Sequence, residues 1–365
     1  MKVLIINPIM YTSEKPKIQR VNSIKDTMCY DLCLAFCELG HEVTLIGGEP
    51  YKPLECEKYP FQIVWMRCSN WKLFMHNCFP YMPELGRYIM KNRNCFDMVI
   101  TSEVFSMNSL VASLVIPRKT IIWHELAKHN AIFHKIPSKI WYGIIAHNLM
   151  KKVLIVPRSV EAQIFIKKYC NNVSDKIIEH GVNLDKFTTN YNKNASFVVC
   201  SQLIPRKRID GIIKKYNNFI LKYKKDINLI IIGEGECKEK LEHQARLLGG
   251  NNRIQFKGKL SHEEMIPILS GAYAMLVNTA KDNSMVSIIE SIAVGTPIIT
   301  TSIPLNASYI KEYELGIVDD NWNEDDLFEV VKKYSIYSSN CKKYRPYLST
   351  KHKVEEFLEQ MSDKL

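Results

Sequence analysis

Residues 274–301 read AMLVNTAKDNSMVSIIESIAVGTPIITT. Short apolar runs stand at both ends, 274–278 and 297–301, and each reads as a buried strand. Between them the pattern predicts a polar loop and then a helix. The helix should start near Asn283 or Ser284, both good N-cap residues, and stop at Gly295-Thr296-Pro297, because Gly followed by Pro is a stop signal. A helix start gathers unpaired N–H groups and the positive end of the dipole, which suits a phosphate. Asp282 stands just before the helix and Glu290 lies eight positions later, about two turns along at 3.6 residues per turn. One carboxylate is therefore expected at the mouth of the phosphate site and one along the same side, where sugar hydroxyls need acceptors. The plain alternative is a Rossmann-type βαβ unit with a capped helix.

Working outward, the same alternation of strand and helix fills both halves. KVLIIN (2–7), a helix over 23–39 ended by Gly40, and EVTLIGG (42–48) form an opening βαβ unit. No GxGxxG follows the first strand, so a dinucleotide fingerprint is absent. The loop 8–20 is long and basic, and faces either an acceptor or plain solvent. Residues 50–95, rich in aromatics (Trp65, Trp71, Phe74, Phe79, Tyr81), should mix a strand at 62–66 with helices. DMVIT (97–101), TIIWH (120–124) and VLIVP (153–157) are further buried strands, and His124 closes one of them. Residues 188–195 are polar and read as a linker. Beyond it come SFVVC (196–200), NLIIIGEG (228–235) and RIQFKG (253–258), a strand at 316–318, and a last helix over 352–361. Open α/β sheets place ligands outside the carboxyl ends of their strands. Lys207, with Arg206 and Arg208 beside it, directly follows such a strand.

Asp282, seven residues, Glu290 and then SIIESIAVGTPIITT resemble the signature of retaining, GT-B-fold glycosyltransferases of family 4. The GVNLDKF segment (181–187) is similar to that family's GVDxxxF. The resemblance is strong from about 176 to 320 and weak before 120. It implies an α/β protein with two Rossmann-like domains facing across a cleft. The expected divisions are 1–190 for the acceptor, 191–345 for the nucleotide sugar, and 346–365 as a helix returning to the first domain. Transfer of a sugar from a nucleotide diphospho-sugar, UDP-linked before GDP-linked, to a glycan or lipid-linked glycan is the implied activity, that of a hexosyltransferase in lipopolysaccharide or capsule assembly. Implied catalytic residues are Asp282 and His124, although a His ending a strand is ordinarily structural. Implied donor contacts are Lys207, Arg206, Gln202, Gly233, Lys257, Gly258, Leu260, Asn283, Ser284, Met285, Val286 and Glu290. No metal or other cofactor is implied. The chain departs from the family in carrying Asp282 in place of Glu, Gln202 in place of Arg, and no Gly-rich loop after Asp282. A GT-B-fold epimerase, a catalytically silent subunit and a lipid- or anion-binding module are the alternatives.

With 365 residues, 46% of them hydrophobic, the chain can build two cores. No apolar run approaches the 18 residues of a membrane span, and MKVLIINP enters a strand with no leader pattern, so a cytoplasmic protein is expected. Eleven cysteines include no CxxC pair, and Cys29, Cys33 and Cys37 recur at helical spacing as a reduced core face rather than a metal face. The net charge of +11 comes without a nucleic-acid module; it points to phosphate-bearing ligands and a membrane surface. Residues 128–152 hold five lysines and no acid, with Ile140, Trp141, Ile144, Ile145 and Leu149 at helical spacing. Such a helix either lies on anionic lipid as a peripheral anchor or packs on the first sheet with its lysines solvated.

Overall fold

Continuous apolar runs such as KVLII and SFVVC cannot face water on either side, so they become the central strands of parallel sheets covered by helices on both faces. The computed structural model describes residues 1–10, 20–25, 27–55, 57–69, 80–130, 132–187, 194–249 and 253–362, with backbone alone at 132 and 133. Trp71, Phe74, Phe79, most of the loop 8–20 and most of the linker 188–195 lie outside the described residues.

The chain divides into two units. The first comprises residues 1–181 and 350–365, and the second 182–349. Strands β1 (Lys2–Ile6), β2 (Glu42–Gly48), β3 (Gln62–Met66), β4 (Met98–Ser102), β5 (Thr120–His124) and β6 (Leu154–Pro157) form the first sheet, in the order β3-β2-β1-β4-β5-β6. The second sheet holds β7 (Ser196–Cys200), β8 (Asn228–Ile232), β9 (Ile254–Gly258), β10 (Ala274–Leu276), β11 (Ile298–Thr300) and β12 (Gly316–Val318), in the order β12-β11-β10-β7-β8-β9. All pairings between these strands are parallel. Each unit thus starts on its central strand, and the winding reverses between its first strand and its fourth. That reversal leaves a crevice at the carboxyl ends of β1 and β4 in one unit, and of β7 and β10 in the other.

Successive residues of β7 show both covered faces. Val198 joins the core of Ile289, Ile292 and Leu269, while Phe197 and Val199 join that of Ile213, Phe219 and Trp322. The units part at Val182 rather than at 190, because the Val182 N–H donates to Leu348 O at 2.9 Å and draws this stretch into the second unit. The last helix, Thr350–Ser362, belongs to the first unit, where Val354, Phe357 and Met361 share a core with Cys33 and Phe36. Cys29 and Cys37 pack against that same core.

The lysine-rich segment departs from a plain amphipathic helix. After Ile136–Ile140 the chain widens into one π-helical stretch, Trp141–Ala146. An extra residue per turn shifts everything beyond it around the axis. Trp141 turns inward beside buried Ser138 and Tyr142, its Nε1–H donating to Val104 O at 2.7 Å and its ring edge-on to Phe105. Ile136, Ile140, Ile144 and Leu149 are left facing out. Among the described residues no helix is long and apolar enough to cross a membrane.

The crevice of the second unit depends on Gly233. Its φ of +138° lies where side chains are rarely found, and a Cβ would stand 1.9 Å from Ser201 O. We expect Gly233→Ala to lower the stability of the second unit by roughly 3 kcal/mol or more, from clash and strain together. Gly249→Ala, also at positive φ but with nothing within 4 Å of the added carbon, should cost only about 1 kcal/mol. Denaturant unfolding of the two variants checks the ranking, and equal losses would contradict it.

Candidate active site

The loop leaving β7 is moulded on the one leaving β8. Ser201 N–H donates to Ile232 O and Leu203 N–H to Glu234 O. The chain then makes a single 3₁₀ turn, Pro205–Lys207, and enters the helix Ile209–Tyr223 through Arg208 in the left-handed conformation. The loop leaving β10 is tied to that turn by several hydrogen bonds, and Thr279 Oγ1 lies 3.3 Å from Arg206 O. Ala280 N–H donates to Arg206 O at 2.7 Å, Arg206 Nη1 donates to Lys281 O at 2.9 Å, and Asn278 Nδ2 donates to Arg208 O at 3.3 Å. Two loops that leave adjacent strands at the reversal point thus form one frame.

Charge closes this frame. Asp282 Oδ2 accepts from Lys207 Nζ at 2.5 Å and from Thr279 Oγ1 at 3.0 Å, and lies 2.9 Å from Arg206 Nη1. Lys207 is only 8% exposed. An ammonium that far from water needs an anion beside it, and Asp282 is that anion. Three residues singled out in the sequence, Arg206, Lys207 and Asp282, therefore converge on one oxygen.

The helix that should start at Asn283 or Ser284 starts later, spanning Val286–Ala293 with Met285 at its N-cap. Neither expected residue caps it. The cap comes from Asn306, wholly buried, whose Oδ1 accepts from Met285 N–H at 2.6 Å while its Nδ2 donates to Ser284 Oγ and Tyr309 Oη. One of the main-chain donors expected to meet a phosphate is therefore already engaged. Glu290 is 6% exposed, and its Oε1 lies 2.9 Å from His262 Nε2. The His262 ring in turn stands edge-on to Phe187. Gly233 N–H donates to Gly258 O, joining the two glycine turns that follow β8 and β9. Gln202, Lys257 and Asn283 are exposed, and Leu260 packs partly on the core.

At the carboxyl edge of the first sheet a second polar group assembles. His124 is wholly buried, with Nδ1 2.9 Å from Glu103 Oε2. The other Glu103 oxygen accepts from Glu125 N–H. Burial pushes the Glu103 carboxyl up, but His124, Arg158 and that N–H outweigh it and hold it below the usual range. The Arg158 guanidinium lies 3.8 Å over the Trp123 ring and donates to Glu125 Oε2, His180 Nε2 and Ser102 Oγ. Packing around its ring, and Arg158 beside it, hold the His180 imidazole well below the usual range, so Nε2 accepts from Arg158. Glu125, 43% exposed, reaches solvent at this edge, and His124 does not.

Four residues of these groups, Thr279, His262, Glu103 and Arg158, carry no mark in the sequence beyond following a strand or opening a helix. Among the described residues no group of three or more His, Cys, Asp or Glu is arranged to hold a metal ion.

Residues 183–347 match the family described as "Glycosyl transferases group 1". An uncharacterized glycosyltransferase of Methanocaldococcus jannaschii is 24% identical over 296 residues, 72% of this chain and 74% of that one. Among solved structures, Anabaena HepE in complex with UDP is similar along the whole of both chains, with a TM-score of 0.67 at 16% identity. The same protein has also been solved with UDP-glucose. WaaG, a glycosyltransferase involved in lipopolysaccharide biosynthesis, is similar over 97% of this chain and 99% of its own, with a TM-score of 0.59 at 12% identity. The paired parallel sheets, the match of residues 183–347 and these likenesses together show that the protein is a glycosyltransferase of the two-domain GT-B fold.

Proposed function

We propose that the enzyme moves a sugar, with retained anomeric configuration, from a nucleotide diphospho-sugar to a hydroxyl of a glycan or lipid-linked glycan in surface-polysaccharide assembly. UDP-sugars are the first choice of donor and GDP-sugars the second. The observation that carries this reading is the convergence of Lys207 and Arg206 on the Asp282 carboxylate, where the loops leaving β7 and β10 are joined. Departure of a nucleoside diphosphate builds negative charge on its outer phosphate, and fixed cations aimed there lower the barrier. Lys207 and Arg206 fill that role in this reading, so no metal is required. Glu290, steadied by His262, accepts from the ribose hydroxyls, and Asp282 from the transferred sugar. The turns at Gly233 and Gly258, with Gln202, Lys257 and Leu260, border the base and phosphates, together with the segment Asn283 to Val286. The acceptor is assigned to the first unit, where buried His124 acts through Glu103 to position Arg158 and Glu125. HepE, solved with UDP and with UDP-glucose, supports the choice of donor.

The reading extends to a cytoplasmic enzyme resting on the inner face of the membrane. Ile136, Ile140 and Ile144 are 56%, 50% and 60% exposed and recur every fourth residue. Lys135, Lys139, Lys151 and Lys152 stand in the same lysine-rich segment, all exposed, and lysines near an anionic bilayer contribute about 1 kcal/mol each.

Two outcomes check these assignments. UDP at about 100 times its dissociation constant should stabilise the protein by roughly 2.7 kcal/mol, with most of that lost in Lys207→Ala and in Glu290→Ala. Absence of a thermal shift with UDP and GDP alike would count against the donor site. For the membrane, co-sedimentation with phosphatidylglycerol vesicles should fall about tenfold or more in the double variant Ile140→Glu, Ile144→Glu. Unchanged sedimentation would remove the lipid-facing role of this segment.

A further inference from the structure

Asp282 stands in an unexpected relation to the cations around it. An acid that serves the transferred sugar should be free to accept from hydroxyls, yet one of its oxygens is already shared by Lys207 Nζ, Arg206 Nη1 and Thr279 Oγ1. The carboxylate is 14% exposed, and the ammonium it faces is 9% exposed, so this is a built contact and not a loose surface pair. Its partners are the two groups assigned to the donor's diphosphate. In the free enzyme a carboxylate therefore sits on the cations that a phosphate would need.

We propose that Asp282 is a built-in competitor for the diphosphate, which lets the site distinguish a sugar-loaded nucleotide from the spent one. The proposal rests on the assignment of Lys207 and Arg206 to the donor. An arriving diphosphate puts further negative charge on the same two cations, and like charges so close repel. The Asp282 carboxylate must then leave its partners or hold the phosphate off. A donor that carries a sugar offers hydroxyls in exchange, so Asp282 gives up the cations and keeps its hydrogen bonds. A bare nucleoside diphosphate offers nothing in return, and a buried carboxylate without partners is costly. Once the sugar has moved to the acceptor, the returning carboxylate displaces the product. Thr279 fits this role, because its single hydroxyl proton can turn from Asp282 to Lys281 O, 3.1 Å away, and so stays paired when the carboxylate swings away.

Calorimetric titration with UDP, UDP-glucose, GDP and inorganic pyrophosphate, on wild type, Asp282→Asn, Asp282→Glu and Lys207→Ala, tests the idea. Asp282→Asn removes the competing charge at nearly constant shape. It should bind the responding diphosphate roughly tenfold more tightly than wild type, and bind UDP-glucose no better. Asp282→Glu keeps the charge and should stay near wild type, while Lys207→Ala should lose binding. If Asp282→Asn binds the bare diphosphate as wild type does or more weakly, and Lys207→Ala still loses it, the competitor role is overturned and the donor site stands. If Lys207→Ala binds as well as wild type, or no probe binds any form, the donor assignment falls and the competitor role with it. A purely structural Asp282 would alter affinity for UDP and UDP-glucose in parallel, so their ratio separates the two roles.

Discussion

A lysine ammonium withdrawn almost wholly from water is tolerated only beside an anion, because removing a charge from solvent costs more than a lone ion can recover. Lys207 is such an ammonium, and the site of the second unit is arranged around its need. The anion it meets is Asp282, delivered by a different strand, so the contact also joins the loops that follow β7 and β10. Those strands lie at the reversal of the sheet, where the main chain opens. The same arrangement that satisfies Lys207 leaves it, on the proposed reading, able to exchange Asp282 for a stronger anion such as a diphosphate.

Much of the fold was legible in the sequence. Runs such as KVLII, TIIWH and SFVVC are too apolar to lie on a surface, and they became β1, β5 and β7. Asp282 was singled out by its place before a helix and Lys207 by its place after a strand, and the structure brings the two side chains together. What escaped was set by side chains far apart in the chain. Asn306 caps the helix at Met285 from 21 positions away, and His262 reaches Glu290 from 28 positions away. Good capping residues at Asn283 and Ser284 were overruled because a fully buried amide supplied a better-fixed acceptor. For the lysine-rich helix two readings were open, and the structure divides them: Trp141 turns into the first unit, while Ile136, Ile140 and Ile144 stay exposed.

The two units use charge in different ways. In the second, cation and anion meet near the surface on a frame of loops, and either can exchange its partner for a ligand. In the first, Glu103 is sealed behind His124, and Arg158 is clamped over Trp123 with its nitrogens turned to Glu125, His180 and Ser102. A network of that kind fixes orientation, leaving Glu125 as the group that meets solvent. The contrast agrees with the proposal that the second unit grips and releases a charged nucleotide while the first holds a neutral hydroxyl.

The central claim is that Lys207 and Arg206 bind the diphosphate of the donor. A crystal structure of the protein with UDP tests it most directly. The account predicts phosphate oxygens about 2.7–2.9 Å from Lys207 Nζ and from the Arg206 guanidinium, with the Asp282 carboxylate displaced from both. UDP bound elsewhere, or bound with Asp282 still on Lys207, would contradict it.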